Sequence, residues 1–417
     1  MSAPEAPTRP TVAERVLRFR DAWPLADGTG VTVAVIDTGV ADHPRLGGVA
    51  DGGDVTGGAG AFHDCDAHGT FVAGLAAGRP GDDAFAGVAP GATVLSIRQT
   101  AGDAGTLASL ATAIDSAVAG GARVINVSLT SCAPPGVAPQ GSAEVTGAVQ
   151  RAEEAGAVVV AAAGNTGADC TDGSVAWPAL LDEVVAVTAV DVADTTPGAD
   201  PAGGPTSGPV DDATGVAGVV EVGGTTGTSA TDHVPASYAL TAEWVDVAAP
   251  GGPVLGPSPD GASWADLHVG SSQATPIMGT SFAAPLVSGT AALILSRRPD
   301  LSPAEVRRII AETASPAALP TGIGVGIVDP VAAVHRTGLV AHADDSAGSA
   351  SAPSGSLSSG SAAAPTPPPV PNRLPTHRVT IIALLAAVAS ASAILWFAGR
   401  REPERAGVTR RPAPPRA

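Results

Sequence analysis

The chain reads as an α/β domain with a mostly parallel sheet, and three observations lead there. Five apolar runs of strand length recur along it: VTVAVID, ATVLSI, ARVINVSL, AVVVAAAG and EVVAVTAV. They are apolar throughout rather than alternating, as strands are when both faces of their sheet are covered. Between them lie Ala-rich amphipathic stretches such as LASLATAIDSAVAG and EVTGAVQRAEEAG, which read as the helices that carry one parallel strand to the next. This alternation occupies residues 23–338 as one domain with no internal repeat, behind an N-terminal extension, 1–22. One stretch breaks the pattern. Residues 193–232 are rich in Gly, Thr, Pro and Asp and are expected to form a surface insertion, with a hairpin around VAGVVEV.

Composition narrows the function. The 417 residues carry 40 acidic and 22 basic side chains, a formal net charge of −18, and every basic one is Arg. Neutralising phosphates requires clustered positive charge, so no nucleic-acid partner is expected. Hydrophobic residues make up 44% of the chain, although Phe, Trp and Tyr together are only 3%, so the core must be Val, Ala, Leu and Ile. A domain of about 300 residues buries roughly three quarters of the surface its unfolded chain exposes. Three Cys, at 65, 132 and 170, are too few for a disulfide scaffold and leave at least one unpaired. No CxxC or HExxH spacing occurs, so no transition-metal site is expected, and the side-chain chemistry of the motifs below needs no cofactor.

The C-terminal region predicts a membrane anchor. Residues 339–378 are Ala, Ser, Gly and Pro with few large apolar side chains, and PTPPPVPNRLP favours extended polyproline II; this is a tether. Val379–Gly399 follows without a charge, and at about 1.5 Å per residue it matches the ~30 Å hydrocarbon core of a bilayer. Beyond it, residues 400–417 hold Arg400, Arg401, Arg405, Arg410, Arg411 and Arg416, against Arg373 and Arg378 on the other side. The positive-inside rule then puts the tail in the cytoplasm and the large domain outside. The opening segment MSAPEAPTRPTVAERVLRF lacks the apolar run of a secretory leader. Export of the domain therefore predicts an upstream start; the alternative is a cytoplasmic domain held by a tail anchor, which the Arg asymmetry opposes.

Three motifs carry the chemistry. VAVIDTGV ends a buried strand at Asp37, and a carboxylate at that edge points into the crevice where α/β folds bind ligands; alone, it reads equally as a helix cap. DAHGTFVAGLAAG sets His68 before a helix of small residues, where a lone His would more often be structural. GTSFAAPLVSGTAALIL places Ser281 at the positive end of an apolar helix, where a plain N-cap Ser is the bland alternative. Together they supply a nucleophile, a base and a carboxylate to orient the base.

In the order Asp37, His68, Ser281, with these strings around them, the chain resembles the subtilisin-like serine proteases over residues 20–336. AAAGN, ending at Asn165, matches that family's oxyanion-hole Asn. The resemblance implies a three-layer subtilisin-like fold and a serine endopeptidase that acts on protein or peptide substrates. An α/β-hydrolase is excluded, because Ala283 stands where G-x-S-x-G needs Gly, and an order through Asp329 and His335 leaves Asp37, His68 and Asn165 unexplained. The layout of domain, Pro-rich tether, single span and Arg-rich tail resembles the mycosins of type VII secretion, as do DCDAHGTFVAG, GVAPGATVLSIRQT and WVDVAAPGG. That likeness implies a cell-membrane protein with an extracytoplasmic catalytic domain, a secretion membrane complex as partner, and a segment 1–22 that packs on the domain. The alternative is a structural component of such a complex whose protease activity is dispensable or latent.

The family resemblance also assigns a substrate pocket to Ser128, Leu129 and Thr130 on one wall and Ala161, Ala162, Ala163 and Gly164 on the other. Small apolar walls without an acid fit an uncharged side chain. Cys132 and Cys170 each follow a strand end that parallel pairing makes neighbours, so they are expected to form a disulfide, the alternative being two free thiols. Cys65 is then left over. Asp66 is expected to cap the His68 helix or to face its dipole, and the remaining His are read as structural or surface residues.

Overall fold

The computed structural model describes residues 6–101, 105–167, 170–192, 233–261, 263–269, 274–316 and 322–347. In chain order these form α1 (Val12–Leu17), a 3₁₀ turn (Phe19–Ala22), β1 (Thr32–Asp37), β2 (Val49–Asp54), α2 (His68–Ala77), β3 (Thr93–Arg98), α3 (Leu107–Ala119) and β4 (Val124–Val127). There follow β5 (Ser131–Ala133), α4 (Ser142–Glu154), β6 (Val158–Ala162), β7 (Val175–Trp177), β8 (Val184–Val192), β9 (His233–Pro235) and β10 (Val247–Pro250). Four short strands come next, β11 (Gly256–Pro257), β12 (Trp264–Ala265), β13 (Leu267–Val269) and β14 (Ala274–Pro276). Three helices close the described chain: α5 (Thr280–Arg297), α6 (Pro303–Thr313) and α7 (Pro330–Ala347). The insertion expected at 193–232, the span at 379–399 and the tail at 400–417 lie outside the described residues, as does the tether beyond 347. Among the described residues no helix is long and apolar enough to cross a membrane. Helix α7 runs on past the domain boundary expected at residue 338.

The main sheet has the order β10-β8-β6-β4-β1-β3-β2, parallel throughout, with β9 added antiparallel to β8. All five expected strands are in it. Alternation along each strand feeds two cores, because successive side chains point to opposite faces. Val33 and Val35 of β1 face one core with α2 and α5, while Ala34 and Ile36 face the other with α3 and α4. In β6, Val158, Val160 and Ala162 join the first core, and Val159 and Ala161 the second. The result is a three-layer α/β/α sandwich. The chain steps from β1 to one side for β2 and β3, then to the other for β4 onward. The order therefore reverses at β1, where such folds open a crevice beyond the strands' carboxyl ends. Asp37 is the last residue of β1.

Local chemistry sets the helix ends. Thr106 and Ser109 form a reciprocal capping box on α3, and Ser302 with Glu305 does the same on α6, where Pro303 occupies the first turn. α5 differs in kind: nearly every residue from Thr280 to Leu295 is buried, so it crosses the first core rather than covering it. It lies hard against α2. A Cβ added at Gly289 would stand 2.5 Å from the Val88 Cβ and 2.9 Å from the Ala76 carbonyl oxygen.

The N-terminal strap belongs to the same core. Leu17, Phe19 and Ala22 are buried in it, the Trp23 indole donates to the Val88 carbonyl at 2.9 Å, and Arg20 donates to that of Ala84 at 2.9 Å.

The α2–α5 contact gives a direct test. Gly289→Ala raises intrinsic helix propensity by about 1 kcal/mol, yet the overpacking it forces costs about 1–3 kcal/mol. Thermal unfolding of the full chain in detergent is expected to show a lower midpoint for Gly289→Ala, whereas an equal or higher one would show that the helices separate freely.

Candidate active site

Three elements meet at the carboxyl edge of the sheet: the end of β1, the start of α2 and the start of α5. Asp37 is wholly buried. Its Oδ1 accepts the Thr38 N–H at 2.7 Å, whereas Thr38 Oγ1 lies farther off, at 3.2 Å, with its single proton directed to Asp64; the same Oδ1 stands 2.7 Å from His68 Nδ1. With Asp37 ionised, that last contact puts the proton on Nδ1 and leaves Nε2 to face the cleft. Burial opposes charge on His68, but the Asp37 carboxylate, with Asp64 and Asp66 beyond it, outweighs burial and holds the imidazole above its ordinary 6.5. The ring also packs against Phe282, centroids 5.1 Å apart, and Phe282 meets Phe71 edge-on at 5.4 Å.

The approach of α2 to β1 is possible because residue 69 is Gly: a Cβ there would lie 2.0 Å from the Gly39 carbonyl oxygen. A second buried carboxylate fastens the junction. Asp64 accepts the Thr70 N–H at 2.8 Å, the Thr70 hydroxyl at 2.6 Å and the Thr38 hydroxyl at 2.8 Å, and Thr38 Oγ1 in turn accepts the Gly69 N–H at 3.0 Å. Burial, reinforced by the charge of Asp37, pushes the Asp64 carboxyl up despite the bonds from Thr70 and Thr38. Asp66 does not cap α2. The cap position is Ala67, which makes no side-chain cap bond and adopts φ 63°, so the chain turns sharply into His68 and leaves the Asp66 side chain exposed.

Ser281 sits in the first turn of α5, where the backbone N–H groups have no carbonyl four residues back. Pro285 adds a consequence. Lacking an N–H, it cannot bond the Ser281 carbonyl, and the Ser128 hydroxyl donates to that carbonyl instead, at 2.8 Å. Ser281 Oγ returns a bond to the Ser128 carbonyl at 3.0 Å. Ser128 Oγ also accepts from Asn126 Nδ2 at 2.9 Å, and Asn126 Oδ1 accepts the Ser288 hydroxyl at 2.8 Å. Asn165 completes the edge. Its Oδ1 accepts the Thr280 N–H at 2.9 Å and the Thr280 hydroxyl at 3.2 Å, which aims Nδ2 away from the helix and toward Gly279. His68, Ser281, Asn165, Ser128 and Thr280 border a cleft of about 1090 Å³, whose lining also includes Leu129, Thr130 and Gly164.

A profile of the subtilase family matches residues 28–326. Mycosin-4 of Mycobacterium tuberculosis is 38% identical, over 80% of this chain and 75% of its own length. The crystal structure of MycP1 from the ESX-1 type VII secretion system superposes with a TM-score of 0.66 at 31% identity, covering 80% of this chain and 87% of that one. A chain of the intact ESX-5 inner membrane complex covers 95% of this one and 93% of itself, at 28% identity and a TM-score of 0.62. The chain belongs to the subtilase family, in its mycosin group. It is a serine-type endopeptidase of the subtilisin class.

In this subtilase the expected pocket residues divide. Ser128, Leu129, Thr130 and Gly164 line the cleft, whereas Ala162 is still inside β6, 1% exposed, with its side chain in the core. Only its carbonyl serves that wall, accepting the Thr130 hydroxyl at 3.1 Å. The Cys132 and Cys170 sulfurs are bonded, with Cα atoms 5.3 Å apart, and a Cβ at Gly164 would meet them at 3.6 and 3.7 Å. Cys65 is free and exposed, its Sγ 2.9 Å from His63 Nε2. His43 is buried and its Nδ1 accepts the Arg45 N–H at 3.1 Å, away from the cleft lining. Among the described residues no group of His, Cys, Asp or Glu is arranged to hold a metal ion.

Reading the sequence missed Asp64, Thr38, Asn126, Thr280 and Ser288. Asn126 had a signal, since it is the one polar residue inside the run VINV. The Ser128–Ser281 exchange generates a test. Ser128→Ala strands the Ser281 carbonyl in the helix start and is expected to cost about 1–3 kcal/mol of stability. It should also slow fluorophosphonate labelling of Ser281 at a temperature where the variant is folded; unchanged melting and labelling would mean that water replaces the hydroxyl freely.

Proposed function

We propose that this chain is a membrane-anchored endopeptidase that cleaves peptide bonds through Asp37, His68 and Ser281. The observation that carries the proposal is the buried Asp37–His68 contact of 2.7 Å opening on the same cleft as Ser281. Ser281 Oγ leaves the Ser128 carbonyl, turns toward His68 Nε2 and attacks the substrate carbonyl as His68 takes its proton. Asp37 keeps the imidazole in the required tautomer and stabilises the imidazolium. The Ser281 N–H and Asn165 Nδ2 receive the oxyanion; removing a donor of that kind costs about 10²–10³ in kcat. His68 then gives its proton to the leaving amine, and water releases the acyl group by the same route.

The anchor is the apolar segment Val379–Gly399, with the Arg-rich 400–417 in the cytoplasm and the catalytic domain outside. Type VII secretion is the setting supported by the likeness to mycosins. A scaffold role in a secretion membrane complex is the second reading, favoured by the extent of the match to a chain of the ESX-5 complex.

Fluorophosphonate labelling of the full chain in membranes tests the first reading. Labelling of the wild type that vanishes in Ser281→Ala is expected, and a folded wild-type chain that resists the probe would sink it. Secretion restored by the Ser281→Ala chain in a deletion strain would favour the scaffold.

Two further outcomes follow from the geometry. Asn165→Ala is expected to lower kcat by about two to three orders of magnitude with little change in KM; an equal loss in both would assign Asn165 to substrate binding. His68 must be neutral to act as base and is held above 6.5. So kcat/KM should climb as pH rises through an apparent pKa above that value and level off on the alkaline side. A profile already flat at pH 6 would contradict the coupling to Asp37.

A further inference from the structure

Behind Asn165 stands a residue that the chemistry above does not use. Tyr238, the only tyrosine in the chain, does not line the cleft. Its backbone nonetheless braces the segment that carries Asn165. The Tyr238 carbonyl accepts the Thr166 N–H at 2.7 Å and the Thr166 hydroxyl at 3.1 Å. Ala239 pairs with Asn165 in an antiparallel bridge, and the Leu240 N–H donates to the Gly164 carbonyl at 2.9 Å. Residues 238–240 thus run as a rib along 164–166.

The side chain reaches the other element of the site, the backbone that leads into α5. A Cβ added at Gly251 would stand 2.7 Å from the Tyr238 hydroxyl oxygen and 3.0 Å from the Gly279 carbonyl oxygen, so the phenol occupies room that a side chain at 251 would need. The Gly251 carbonyl accepts the Gly279 N–H at 2.8 Å. Gly279, two residues before Ser281, is close to Asn165 as well: a Cβ there would lie 3.1 Å from Asn165 Nδ2. One residue therefore meets the Asn165 segment through its backbone and the start of α5 through its ring.

The hydroxyl is an anomaly. It is buried and has no hydrogen-bond partner among the described residues. Such a group has given up water without replacement, a cost that a phenylalanine ring would avoid. What the oxygen supplies is bulk. Without it the Gly251–Gly279 pair is free to settle onto the ring, drawing the Ser281 N–H away from Asn165 Nδ2. A misplacement of about 1 Å in a catalytic group can cost about 10²-fold in rate.

Resting on the protease reading above, we propose that Tyr238 is a positioning residue whose hydroxyl acts as a spacer, setting the separation of the two oxyanion donors. Burial, with Asp191 nearby, pushes the phenol up, against the opposing effect of the Gly279 N–H. It stays neutral in the working range and contributes shape, not charge.

The test uses the full-length protein in detergent, with rates referred to the concentration of Ser281 titrated by a fluorophosphonate. Tyr238→Phe is expected to melt at or above the wild-type temperature, yet to lower kcat about fivefold with KM within about twofold. In an Asn165→Ala background the same substitution should change kcat by less than about twofold, because one of the two spaced donors is gone. Wild-type kcat in Tyr238→Phe overturns the proposal. So does an equal loss in both backgrounds, which would make the effect a general structural one. With a single tyrosine, an alkaline titration of tyrosinate absorbance reads Tyr238 alone, and the signal should appear only as the chain unfolds. Reversible ionisation near the ordinary value of about 10 in the folded chain would overturn the placement of the hydroxyl. Failure of the fluorophosphonate to titrate Ser281 counts separately, against the protease reading itself.

Discussion

A carboxylate with no exposed surface stands at the centre of this fold, and most of the local architecture follows from keeping Asp37 there. Removing an ionised group from water costs several kcal/mol unless its oxygens are supplied with donors. Oδ1 has two, the Thr38 N–H and His68, while Oδ2 has no hydrogen-bond partner among the described residues. The first comes from the residue that follows Asp37, so it is in place as soon as β1 ends. The second requires α2 to come within contact of β1. That contact depends on Gly69, whose missing side chain admits the Gly39 carbonyl, and on Asp64, which ties Thr70 in the first turn of α2 to Thr38. Burying a second carboxylate beside the first is costly in itself. The number of donors around Asp64 indicates what the junction needs in order to stay closed.

Ser281 is held by a different principle. α5 is buried almost all round, so its first turn cannot lean on solvent, and Pro285 withdraws one of the few internal partners available there. The Ser288–Asn126–Ser128 chain answers this with polar groups inside an apolar layer, each bonded to the next and ending on the Ser281 carbonyl. A network of this kind is stabilising only when complete. Its use here is geometric: it ties the strand end that borders the substrate pocket to the backbone of the nucleophile. The Ser128 wall of the cleft is therefore fastened to Ser281.

Much of this was legible in the sequence, and the gaps have physical causes. β1, β3, β4, β6 and β8 announce themselves because both faces of each are covered, which forces unbroken apolar runs. β2, with the sequence VADGGD, lies at the sheet edge and is only partly covered, so nothing in it distinguishes a strand from a loop. The pairs β11–β12 and β13–β14 span two or three residues each, too few to show a period. At the site, the residues around Asp37, His68, Ser281 and Asn165 stood out because each closes or opens a regular element. Asp64 and Thr38 did not, since their roles depend on α2 and β1 meeting, a contact that no local pattern encodes. Ala162 erred in the opposite direction: proximity to Gly164 in sequence says nothing of the side chain, which alternation turns into the core.

The N-terminal strap shows how far the support of the cleft reaches. Trp23 and Arg20 hold the backbone of the 84–88 loop, and the Ala84 N–H donates to the Pro7 carbonyl at 2.8 Å. That loop is gripped from its other side by Arg45, which donates to the carbonyls of Arg79 and Phe85 at 2.6 and 2.8 Å and to Asp83 at 2.7 Å. The same guanidinium lies 5.0 Å over the ring of Trp264, which packs on Phe85 at 4.8 Å. Trp264 begins β12, and the residues just after it, Ala265 and Leu267, form a wall of the cleft. Among the described residues, none that lines the cleft comes from the strap itself. A segment with Leu17 and Phe19 buried in the core is thus a structural part of the domain, and its influence on substrate is exerted through Arg45 and Trp264, by fixing the wall against which a peptide must fit.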